Sequence, residues 1–387
     1  TVKHEVRRVT VLTTGSEAWW QSKNGPEWVR EQGKYRVTFW WRDPAGTQQT
    51  SAVKRVWLYI TGVTDHHKNA RPQSLERIPD TDVWQWQGEF SPQWRGSYCF
   101  IPSENTDDFA PDVFHGEQPD RLALREGWRK LLPQAMSDPL NAQSWRGGRG
   151  HDVSALEMPD APVQPGWDRP NTPYRQPVCI DWQSKRLGNR RRVWIFTTGD
   201  DDPERPLAVL LDGQFWAESM PVWPALTALT LGRKLPPAVY VLIDVIDMAH
   251  RNNELPCNPD FWLAVQEELL PLVKQRTAFS DRADRTVVAG QSFGGLSSLY
   301  AALNWPQRFG CVLSQSGSYW WPHRGGQQEG LLIAQLKAGE KTARGLRIVL
   351  EAGRNEPLIY RANQAIYDEL RTQQQVYWRQ VDGGHDA

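Results

Sequence analysis

The chain has 387 residues, 45 basic against 45 acidic side chains and no formal net charge. An apolar fraction of 39% is enough to build cores and excludes a disordered chain. Zero net charge argues against nucleic acid as the main partner, since such domains carry a basic excess. The unusual residues are tryptophan, 21 of 42 aromatics, and arginine, which outnumbers lysine by 34 to 11. No run of 18 apolar residues is present, so no transmembrane helix and no membrane partner are expected. The opening residues Thr1–Arg8 mix charges of both signs and lack a leader's apolar stretch. Cys99, Cys179, Cys257 and Cys311 are far apart and read as buried thiols rather than metal ligands or disulfides. Cysteines of this kind are expected of a cytoplasmic protein.

Up to about residue 135 the pattern is β. Tyr35–Arg42 is aromatic and β-branched and ends at the turn Asp43-Pro44-Ala45-Gly46. Val53–Ile60, the alternating Val83–Phe90 and Gly96–Ile101 follow. Short strands with regular turns predict an immunoglobulin-like β-sandwich over 1–135. His66-His67 reads as a polar turn, with no third ligand nearby to make a metal site. Residues 136–176 are rich in Pro, Gly, Asp and Arg and read as a linker, Arg146–Gly150 included.

Over 177–387 strands alternate with helices. Arg192–Thr198, Ala208–Leu211, Ala238–Ile243, Thr286–Ala289, Val312–Ser314, Leu346–Leu350 and Gln375–Arg379 read as strands. Asn258-Pro259 should cap a helix running to about Gln275. The pattern predicts an open, largely parallel sheet covered on both faces, an α/β class domain.

Gly290-Gln291-Ser292-Phe293-Gly294 is a G-x-S-x-G between an apolar strand and an amphipathic helix, the context of a nucleophile elbow. Glycines flanking such a serine let strand and helix meet while its oxygen is lifted clear of the sheet. The catalytic domain is therefore expected to be an α/β-hydrolase with Ser292 as nucleophile. Only His323 and His385 lie downstream. His385 follows the last strand, where the base of such folds belongs, whereas His323 precedes the strand that should carry the acid. Glu356, just beyond Leu346–Leu350, is the expected acid, with Asp382, Glu351 or a Ser-His dyad as alternatives. One oxyanion donor should be the Phe293 amide, and a second should come from Gly213 or Gln214.

These segments resemble the enterochelin (ferric enterobactin) esterases of enteric bacteria. The resemblance is carried by Asp284–Ser297, Leu313–Trp321, Arg251–Asn258 and Gln380–Asp386, and it covers essentially the whole chain. It implies a cytoplasmic hydrolase that opens a trilactone of 2,3-dihydroxybenzoylserine units and so releases iron. The partner would be a small-molecule siderophore carrying its own iron, with no cofactor and no resident metal; the oligomeric state is left open. Such a ligand is a bulky anion with flat aromatic edges, suited to indole stacking and guanidinium contacts. Trp320, Trp321, Arg324, Arg354 and Arg251, on loops at strand ends, are the candidate contacts. The rival readings are an esterase for another aromatic ester, with a carbohydrate-binding sandwich, and a non-catalytic siderophore binder.

Overall fold

The computed structural model describes residues 11–147, 151–324 and 328–382. It divides into two compact units, the chain passing from the first to the second between Ala161 and Pro162. The first unit is an antiparallel sheet of eight strands: β1 (Glu27–Glu31), β2 (Lys34–Arg42), β3 (Arg55–Ile60), β4 (Gln73–Arg77), β5 (Val83–Phe90), β6 (Arg95–Ser103), β7 (Ser144–Arg146) and β8 (Asp152–Glu157). Their order is β1-β2-β5-β4-β3-β6-β8-β7. Strands β7 and β8 come from the Pro/Gly-rich stretch 136–176, which thus supplies one end of this sheet.

Strand β3 shows why the tryptophans are needed. Val56, Leu58 and Ile60 face a core with Phe39, Trp41, Trp84 and Phe100. Trp57 and Tyr59, on the other face, pack with Cys99, Phe109, Leu124 and Trp128. Period-two alternation sends successive side chains to opposite faces, so both faces must be covered. The helix Arg121–Leu131, capped by Asp120 accepting from the Ala123 amide at 3.0 Å, covers the second face. Its buried residues Leu124, Gly127, Trp128 and Leu131 carry the i, i+3, i+4, i+7 stripe of an amphipathic helix, a signal passed over among the surrounding strands.

The second unit carries β9 (Val178–Ser184), β10 (Asn189–Thr197), β11 (Leu207–Leu210), β12 (Val239–Ile243), β13 (Thr286–Gln291), β14 (Cys311–Gln315), β15 (Arg347–Gly353) and β16 (Val376–Val381). The order is β16-β15-β14-β13-β11-β12-β10-β9. All neighbours from β16 to β12 are parallel, whereas β10 runs antiparallel to both β12 and β9. That is the α/β-hydrolase sheet. Strand β12 is buried throughout: Val239, Val241 and Ile243 enter one core, Tyr240 and Leu242 the other. Continuous burial of this kind is what helices on both faces impose.

The helix begun by Asn258, whose side chain accepts from the Asp260 amide at 3.0 Å, ends at Lys274 but is not uniform. Its Val265–Leu269 turn widens to a π-helix just ahead of Pro271. A proline lacks an amide proton and crowds the carbonyl four residues back, and a wider turn relieves both. All four cysteines are free thiols. Cys99 is buried, Cys257 and Cys311 are half-buried and Cys179 is exposed, so the expectation of four buried thiols holds for Cys99 alone in full. No helix among the described residues is long and apolar enough to cross a membrane.

Candidate active site

The parallel register sets Gln291, Gln315 and Glu351 side by side on β13, β14 and β15, and β11 ends at Leu210, beside Ala289. At the end of β13 the chain turns through Ser292 into the helix Phe293–Asn304. Ser292 has φ 57° and ψ −118°, in the left-handed half of backbone space that a side chain avoids. Neighbours enforce it. Its N–H donates to the Gln315 carbonyl at 3.0 Å, and its carbonyl accepts from the Ser318 N–H at 3.1 Å. A Cβ on Gly290 would lie 2.4 Å from the backbone carbonyl of Gly294. On Gly295 it would lie 2.6 Å from Ser314 Oγ, whereas on Gly294 its nearest contact is an ordinary 3.5 Å. The close approach therefore needs glycine at 290 and 295, and Gly294 matters for the backbone it offers to Gly290.

Glu356 is fully buried and sits ahead of the helix Pro357–Leu370. Its Oε2 accepts from Ser316 Oγ at 2.7 Å and from the Gly353 N–H at 3.0 Å. Ser316, itself at φ 46°, is held by its N–H donating to the Glu351 carbonyl at 2.7 Å. Of the two alternative acids, Glu351 lies within β15, 3.8 Å from Arg379. Burial pushes its carboxyl above the ordinary range, against the pull of Arg379. Asp382 Oδ1 accepts from Asn355 Nδ2 at 3.3 Å. His385 lies outside the described residues. His323 is exposed.

After β11 the chain passes Asp212, at φ 52°, into the short helical turn that Gly213 and Gln214 begin. Gly213 is pressed so closely on β12 that a Cβ would sit 2.5 Å from the Ile243 nitrogen. The amides of Gly213, Gln214 and Phe293 all open helical turns, where N–H groups lack an intrahelical acceptor. The Gln214 side chain is committed elsewhere, accepting from the Val245 N–H at 3.2 Å.

Arg251 forms a two-point ion pair with Asp212, Nε to Oδ1 at 2.8 Å and Nη2 to Oδ2 at 2.9 Å. Its Nη2 also donates to the Gln291 carbonyl at 3.3 Å, and the guanidinium lies 5.7 Å from the Phe293 ring centre. Burial opposes its charge, but the facing Asp212 carboxylate outweighs that and raises its pKa. The structure thus places this arginine in a strap between the β11 and β13 loops. Trp320 stacks at a tilt on Phe293, ring centres 5.9 Å apart, and Arg324 covers Trp320 at 5.0 Å. Trp321 is half-buried and packs against the core. Arg354 is exposed, its Nε donating to Gln380 Oε1 at 3.3 Å. Asp212, Ser316 and Ser318 were not singled out in the sequence. The only signal available was their position just after predicted strands.

A strained serine on a strand–helix turn, at the carboxyl edge of a mostly parallel sheet with one antiparallel strand, defines the α/β-hydrolase class and its ester chemistry. Residues 36–167 match the family model "Enterochelin esterase, N-terminal", and 184–386 match the "Esterase" model. The chain is 68% identical over 382 residues, 98% of its length, to the iron(III) enterobactin esterase of Escherichia coli K12, covering 94% of that protein. The crystal structure of the ferric enterobactin esterase of Salmonella typhimurium superposes with a TM-score of 0.92 at 69% identity, covering 96% of this chain and 94% of the other. The enterobactin esterase of Shigella flexneri, solved in the presence of enterobactin, gives 0.88 at 67%, covering 97% and 95%. The chain belongs to the enterochelin esterase family and is a carboxylic ester hydrolase.

Proposed function

We propose that the protein hydrolyses the ester bonds of enterobactin and of its ferric complex to 2,3-dihydroxybenzoylserine fragments. The observation that carries this is the strained Ser292 turn in a chain so similar, from end to end, to iron(III) enterobactin esterases. In this reading Ser292 Oγ attacks the ester carbonyl while His385 takes its proton. The amides of Phe293 and of Gly213 or Gln214 stabilise the oxyanion, and each such donor is worth about 2.7–4 kcal/mol. His385 hands its proton to the leaving serine hydroxyl, and water then frees the acyl-enzyme. Glu356 keeps the imidazole oriented and balances its charge.

The ferric substrate is an anion, and a neutral chain must attract it locally. The Phe293–Trp320–Arg324 stack, with Arg354 exposed on the loop after the next strand, offers aromatic faces and guanidinium groups for that purpose. Arg251 contributes through Asp212, and Trp321 through the core it anchors. Iron enters as part of the substrate and is released when its ligand is cut; the four free cysteines support a cytoplasmic location, where thiols stay reduced. The finer description of the first unit as an immunoglobulin-like sandwich rests on β4, which pairs with both β5 and β3 and so joins two halves of the sheet. A fluorophosphonate tests the enzymatic reading. Labelling should map to Ser292 and abolish release of dihydroxybenzoylserine, whereas hydrolysis surviving stoichiometric labelling contradicts it.

A further inference from the structure

Ser318 is 1% exposed, and its Oγ lies 3.2 Å from Ser292 Oγ. Its backbone N–H donates to the Ser292 carbonyl, so the two residues are joined at two points. The turn that carries Ser318 is rigid. Buried Asn363 donates to the Gly317 carbonyl at 2.9 Å, and a Cβ on Gly317 would lie 2.4 Å from the Tyr319 ring. Among the described residues, Ser292 Oγ is the sole hydrogen-bond partner of the Ser318 hydroxyl. A buried hydroxyl hydrogen left without an acceptor is costly, so this one is donated to Ser292.

Resting on the reading of Ser292 as nucleophile, we propose that Ser318 is a further catalytic residue, whose hydroxyl donates to Ser292 Oγ and sets the direction of its attack. Around Oγ, three directions remain besides the bond to Cβ. Ser318 occupies one lone pair. The oxygen's own hydrogen is then turned to the base, and the second lone pair is left for the substrate. As that pair forms the bond to the carbonyl carbon, the proton passes to the base and the carbonyl π electrons move to the oxyanion. Without Ser318 the hydroxyl rotates between staggered positions, and only part of the population is aligned.

The test compares the full-length protein with Ser318→Ala and with Ser318→Cys, which is slightly larger than serine and a weaker donor. The readouts are the rate of labelling by a small fluorophosphonate, kcat and KM on enterobactin, and thermal unfolding. One neutral hydrogen bond predicts a loss of about 5–10-fold in labelling rate and in kcat for Ala, with Cys in between, at unchanged KM and an unfolding temperature lowered by no more than about 4 °C. Wild-type labelling rates in both variants overturn the proposal, as does a loss confined to KM, which would make Ser318 a substrate contact. Ser292→Ala runs in parallel. Labelling that persists in it refutes the nucleophile itself, whereas labelling abolished there but normal in the Ser318 variants refutes this inference alone.

Discussion

A serine with φ near 57° stores strain that only its neighbours can hold, and here both its N–H and its carbonyl are tied to the loop after β14. Ser292 was legible in the sequence because that backbone demand forces a glycine pattern. Ser316 and Ser318 were not, because a hydroxyl 26 residues away leaves no periodicity to read. The acid was legible only to within a few residues, and charge distinguishes the candidates. Glu356→Gln should lower kcat by at least about 100-fold, on the scale of losing a triad acid. Glu351→Gln should leave kcat within about twofold, and steady-state kinetics on both variants decides. Glu351 also yields a pH prediction. Its folded pKa is raised, so its stabilising contribution is fully present below about pH 4.3, the unfolded value, and is lost as pH rises through the raised one. Glu351→Gln should therefore raise the unfolding temperature at pH 7 and leave it unchanged at pH 4, as calorimetry at the two pH values would show.

The elements most exposed to damage are those that converge on the elbow. A Cβ at Gly290 meets backbone rather than a movable side chain, so Gly290→Ala should cost about 3 kcal/mol, the upper end of overpacking, measured by denaturant unfolding. The strap from Asp212 to Arg251 ties the turn after β11 to the helix Met248–Glu254 and, through the Gln291 carbonyl, to the residue before the nucleophile. Breaking such a nearly buried pair from one side leaves a charge without its partner, so Arg251→Ala should destabilise by about 3 kcal/mol. It should also lower kcat more than it raises KM, because the proposed oxyanion amides lie on the strapped turn. A change in KM alone would instead restore the direct substrate contact that the sequence suggested. Strand ends fix where loops begin, which made these residues candidates. An ion pair with a neighbouring loop, such as Arg251 makes with Asp212, has no sequence signature.

At the scale of the whole molecule, composition is largely explained by packing. Twelve of the 21 tryptophans are buried, among them Trp57, Trp128, Trp182 and Trp262, so indole is first a core material here. Strands such as β3 and β12 were legible as short apolar runs, because both of their faces are buried. Strands β7 and β8 were not, since the glycine and proline between and around them look like a linker. Two units with separate cores predict that calorimetric unfolding departs from a single two-state transition, with a calorimetric enthalpy above the van't Hoff value. The central claim is that ester hydrolysis runs through Ser292. The most direct measurement incubates the protein and its Ser292→Ala variant with cyclic enterobactin, with and without iron, and follows the products by mass spectrometry. The account predicts dihydroxybenzoylserine fragments from the parent and intact, still-bound trilactone with the variant. The same fragments appearing at the parent's rate with Ser292→Ala would contradict it.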